Sequence, residues 1–131
     1  MLNIPNWTNS EEANIRGNNF TVVVKHWIKP YGTHKWNVYA HIFLEHPIFE
    51  ELEDKFTDCP LPLHGGCSFH HFDFDAEGLC VCKSFGSDYA HLHDDNYAEV
   101  SDIELTPLMA DAHELYAFLE YYQKEEPDAT I

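Results

Sequence analysis

Residues 67–86 read CSFHHFDFDAEGLCVCKSFG, from Cys67 to Gly86. Two runs rich in aromatic, cysteine and valine residues, Cys67 to Phe74 and Leu79 to Phe85, flank Asp75-Ala76-Glu77-Gly78. Such residues suit a pleated surface, and a short connection ending in glycine is a common hairpin loop. The stretch is therefore predicted to be an antiparallel β-hairpin, whose start and end lie side by side. Gly65-Gly66 and Gly86 then fall at the same end, where glycine permits positive φ and close backbone approach.

Upstream, Phe20 to Ile28 alternates, with Val22, Val24 and His26 on one face and Val23, Lys25 and Trp27 on the other. That period is a strand's. Pro30-Tyr31-Gly32-Thr33 reads as a turn into a second strand, Trp36 to Leu44, which Glu45-His46-Pro47 ends. Ile48, Phe49 and Leu52 follow at helical spacing, and Cys59-Pro60-Leu61-Pro62 stiffens the approach to His64. Downstream, Tyr97 to Leu105 reads as a further short strand. Thr106-Pro107 reads as a helix start, an N-cap hydroxyl with proline at the first helical position. Leu108, Ala112, Leu115, Leu119 and Tyr122 form one apolar stripe, and the helix is expected to stop near Glu126-Pro127.

These elements add up to an α+β fold: an antiparallel sheet of four to five strands with one long C-terminal helix packed on a face. Residues 1–18, polar and rich in asparagine, are expected to form a loosely ordered arm docked through Trp7. Residues 19–126 are expected to form a single domain and 127–131 a tail.

The chain has 131 residues, of which 23 are Asp or Glu and 7 Lys or Arg, for a formal net charge of −16. With 44% hydrophobic and 15% aromatic residues, it can build one real core. Its charge disfavours direct contact with nucleic acid or an anionic membrane. It suits a basic protein partner, and serves solubility equally well. No apolar run reaches the roughly 20 residues that span a bilayer, and the polar start is unlike a signal peptide, so a cytoplasmic location is expected. There Cys59, Cys67, Cys80 and Cys82 are expected to stay reduced. They include no Cys-x-x-Cys pair. The aromatic strands offer a surface for a homodimer.

The candidate site combines His64 with Asp88, His91 and Asp94. If Ser87 to Asp95 is helical, spacing of three puts the last three on one side. A histidine between carboxylates has its charged form favoured. Imidazole and carboxylate also suit zinc, manganese or iron, with His64 completing a two-His, two-carboxylate set. His64, Asp88 and His91 are the catalytic candidates in either case. The structural alternative is that Asp88 caps a turn and His91 bonds nearby backbone. His70 and His71 are expected to pack in the sheet, and His46 to hold its loop beside Pro47. Cys67 lies near His64 but has no activating group beside it in sequence.

Four features taken together resemble a family of small proteins from bacteriophages and phage-derived bacterial regions. They are Val38-Tyr39, His46-Pro47, His64-Gly65-Gly66-Cys67-Ser68-Phe69 and Gly86-Ser87-Asp88-Tyr89-Ala90-His91-Leu92-His93-Asp94. The family pattern continues into a C-terminal helix. Ser87 stands where it has an aromatic and Asn37 where it has glycine. The resemblance implies a phage origin, a host-cell cytoplasmic location and clustering of His64, Asp88, His91 and Asp94. It implies no particular reaction.

Two functions are therefore expected. One is a phage accessory protein whose His/Asp site binds a small ligand or divalent metal, with metal-assisted hydrolysis as its chemistry. The other is a non-catalytic, acidic host-takeover or anti-defence protein that binds a basic host surface.

Overall fold

Five strands and one long helix carry the computed structural model, which describes residues 10–28, 34–54, 59–88 and 106–125. The strands are β1 (Ser10–Gly17), β2 (Phe20–Ile28), β3 (His34–Phe43), β4 (Phe69–Phe74) and β5 (Cys80–Asp88). They form one antiparallel sheet in the order β1-β2-β3-β5-β4. A single 3-10 turn spans Phe49–Glu51, and the helix α1 spans Thr106–Glu125. This is the α+β arrangement that the patterning implies.

Alternation sorts the side chains of β2 and β3 cleanly. Phe20, Val22, Val24, Trp36, Val38, Ala40 and Ile42 are buried on one face, and α1 packs there through Leu108, Ala112, Leu115 and Leu119. Met109, outside the expected stripe, is buried as well. The chain between β3 and β4 closes the same core with Ile48, Phe49, Leu52 and Leu61. Lys83, also on this face, is buried. Its Nζ donates to the carbonyls of Phe49 at 2.7 Å and Leu52 at 2.9 Å. It also lies over the rings of Phe49 and Phe72. The ammonium thereby satisfies the Leu52 carbonyl and adds a second donor to that of Phe49, which also accepts from the Leu52 N–H at 3.3 Å.

The predicted hairpin forms with its turn at 75–78. Asp75 Oδ1 accepts from the backbone N–H groups of Glu77 and Leu79, and Gly78 takes φ 85°. A bulge shifts the register between Asp73 and Phe74.

Two boundaries differ from expectation. The loose arm expected over residues 1–18 contains the edge strand β1, joined to β2 through Asn18-Asn19, with Asn19 at φ 68°. Asparagine tolerates this left-handed region better than other non-glycine residues. The second hairpin strand continues past Phe85 to Asp88, because β3 offers partners as far as Asn37. The turn at 30–33, Trp7, the strand expected over Tyr97 to Leu105 and the tail at 127–131 lie outside the described residues.

Candidate functional site

The His-Gly-Gly turn leads the chain into β4. Gly65 and Gly66 take φ 67° and 87°, values that a Cβ makes costly, and Gly66 N–H donates to the Leu63 carbonyl at 2.9 Å. Leu63 packs against the core beside this turn. The geometry brings His64 to the helix, with Nδ1 3.8 Å from Asp111 Oδ2. Both side chains keep partial access to solvent. In the sequence Asp111 lies off the apolar stripe of α1. Nothing in the sequence pairs it with His64.

Asp88 lies elsewhere. It is the last residue of β5 and stands opposite Asn37, so strand parity turns its side chain to the face away from α1. Its N–H donates to Ser68 Oγ at 3.1 Å, and Ser68 N–H donates to the Gly86 carbonyl at 2.9 Å. Ser68, two residues past the glycines, therefore meets the far end of the hairpin. The helical condition set for Ser87 to Asp95 is not met at its start, since Ser87 and Asp88 belong to a strand. Helical spacing thus does not join Asp88 to His91. His91, His93, Asp94 and Asp95 lie outside the described residues. Among the described residues, no three His, Cys, Asp or Glu side chains are grouped to hold a metal ion.

The other histidines have plain tasks. His46 Nδ1 accepts from the Ile48 N–H and Nε2 donates to the Leu119 carbonyl, each at 3.1 Å. These bonds fix one neutral tautomer and tie the loop after β3 to α1. His70 turns to the helix side and bonds Asp54, whereas His71 turns the other way and bonds Asp73. His26 is buried and shares a 2.7 Å hydrogen bond with His34; its ring lies tilted against Trp36, on which His34 stacks. Cys67 donates its S–H to the Phe69 carbonyl at 3.0 Å. All four cysteines are free.

One cluster carried no weight in the sequence. On the face away from α1, register places His41 beside Ser84, and Ser84 beside His71. His41 Nδ1 lies 2.7 Å from Ser84 Oγ, and Cys82 Sγ 3.8 Å from the same hydroxyl. Burial pushes the His41 pKa down, against the raising influence of Asp73 and Glu12. Burial likewise pushes the Cys82 thiol and the Tyr39 phenol up. The group is neutral, with Tyr39 stacked on His41 and Phe69 edge-on to Tyr39. Strand pairing over 43 residues of separation assembles it, which no local motif announces.

Comparison with protein-family models, with curated proteins and with solved structures finds no match for the chain. No helix among the described residues is long and apolar enough to cross a membrane.

Proposed function

We propose that this is a bacteriophage accessory protein that binds a divalent metal ion or small polar ligand where the His64 turn meets α1. The observation that supports this reading is the 3.8 Å approach of His64 to Asp111. The imidazole is aimed at the helix by two left-handed glycines. An imidazole beside a carboxylate is equipped to pass a proton, orient a hydroxyl or occupy two positions around a cation. Zinc, manganese and iron all accept this donor pair. Catalytic zinc sites use three protein groups and leave one position open. His91 and Asp94 are the residues that would complete such a set, and Asp111 takes the place first expected of Asp88.

A cation of this kind would supply a bound water with its pKa lowered toward about 7. Whichever of His64 and Asp111 stayed unligated would hold the proton. A phosphate ester or nucleotide is the substrate class that such chemistry serves. The test is elemental analysis of untagged full-length protein purified without chelator, beside His64→Ala and Asp111→Asn. Stoichiometric zinc, manganese or iron, absent from both folded variants, is the expected result. Wild-type protein that stays metal-free after incubation with zinc and manganese sinks the metal reading.

A second reading rests on the net charge of −16 and on Asp111, Glu114 and Glu120 lying off the apolar stripe of α1. In it the protein is a non-catalytic host-takeover factor that binds a basic host surface. Binding of that kind weakens steeply with salt and survives His64→Ala. An affinity that does not change between low and high salt rules it out.

A further inference from the structure

The face of the sheet away from α1 departs from the electrostatics of the rest of the chain. Of the four Lys and Arg side chains that are described, Lys83 is buried beneath the helix side. The other three, Arg16, Lys25 and Lys35, all project from the opposite face by strand alternation. In a chain with 23 acidic and 7 basic residues, chance pairing alone would give a surface cation a carboxylate partner. Lys25 has one nearby, since Glu12 stands opposite it in register. No carboxylate of the described residues pairs with Arg16.

Arg16 lines a cavity of about 370 Å³ that runs across β1, β2, β3 and β5. That volume lies within the range of small-molecule sites. Thr21, opposite Arg16 in register, supplies a hydroxyl to the same cavity, and Asn14 an amide. Across from them His41 offers an imidazole and Phe43, 39% exposed, an apolar ring. Ser84 fixes the imidazole. When the Cys82 thiol donates to Ser84 Oγ and the hydroxyl donates to His41 Nδ1, Nε2–H is left as a donor. The cavity then presents a guanidinium and neutral N–H and O–H donors, next to a flat apolar wall.

We propose that this cavity is a second site, distinct from the His64 turn, for a small organic oxyanion. Arg16 and His41 hold its phosphate or carboxylate, and Phe43 covers its apolar body. A guanidinium is suited to both anions because its paired N–H groups match two oxygens at once. Glu12 also lines the cavity, with Lys25 opposite it in register, and Asp73 lies near His41, so the guanidinium of Arg16 is the group that must carry the anion.

The probes are phenyl phosphate and benzoate, titrated into the full chain and followed by calorimetry and by backbone amide shifts. At least one is expected to saturate at one site per chain, and the tighter of the two identifies the anion class. Arg16→Gln, on an exposed edge strand, is expected to weaken that probe about tenfold, the loss of a charge-assisted hydrogen bond. Phe43→Ala is expected to weaken it several-fold, and His64→Ala to leave it unchanged. Circular dichroism confirms that the variants remain folded. Failure of both probes to saturate at millimolar concentration overturns the proposal. Equal affinity in wild type and Arg16→Gln also overturns it.

Discussion

Beneath α1 the sheet buries Phe20, Val22, Val24, Ala40, Ile42 and Phe85 to 1% exposure or less. On the opposite face Lys25, Phe43 and Phe69 are exposed, and Tyr39 and His41 are half-buried. The two faces come from the same strands by the same alternation, so the helix and the chain between β3 and β4 make the difference. The covered face uses its polar groups to finish backbone bonding, as Lys83 does for Phe49 and Leu52 and His46 for Leu119. On the open face His41, Ser84 and Cys82 bond to one another, next to a cavity. Substitutions in the core beneath the helix should therefore cost mainly stability, and those that line the open-face cavity mainly the binding of its ligand.

The largest effect is expected at Leu115, fully buried on α1. Leu115→Ala should lower unfolding stability by about 3 kcal/mol, the transfer loss plus a cavity. Phe43→Ala on the open face should cost less than about 1 kcal/mol in the same urea titration. Equal losses would erase the distinction between the faces. Lys83→Met comes next. It keeps the alkyl stem but removes the Nζ donor from the Leu52 carbonyl and leaves that of Phe49 only the 3.3 Å bond from the Leu52 N–H, at a cost of about 2 kcal/mol.

Gly86→Ala probes a tightly packed place on the open face, because a Cβ there would sit 2.3 Å from the Tyr39 ring. A loss of about 1–2 kcal/mol is expected, much of it recovered when Tyr39→Ala is added. A double-mutant cycle reads that coupling, and independent effects would mean that the ring does not rest on the glycine. The smallest effect is pH-dependent. Burial lowers the folded-state pKa of His41 below its ordinary 6.5, so the unfolded chain binds its proton first as pH falls. Stability from this group is intact above about pH 6.5 and declines below it, down to the folded-state pKa. His41→Gln should flatten that part of the stability profile.

Much of the covered face was legible in the sequence, because burial leaves a periodic trace. Phe20 to Ile28 was delimited as observed, and all four inner residues of the helical stripe from Leu108 to Leu119 are buried. β1 was missed because an edge strand with one solvated face needs little apolar alternation, and only Ala13 and Ile15 supply it. Asn18-Asn19 was a turn signal read as looseness. The site was less legible. His-Gly-Gly correctly marks a left-handed turn, but the partner that meets it, Asp111, is on α1. The spacing of Asp88 to His91 would fit a helix if Ser87 to Asp95 formed one. Pairing with β3, a tertiary fact, keeps Asp88 in a strand.

The most direct test is a zinc titration of the full chain followed by amide shifts, with His64→Ala alongside. Saturable shifts are expected at His64 to Gly66 and around Asp111, lost in the variant, while the signals of Tyr39, His41 and Ser84 stay in place. No saturable shift, or shifts that persist in His64→Ala, would contradict a ligand site where the His-Gly-Gly turn meets the helix.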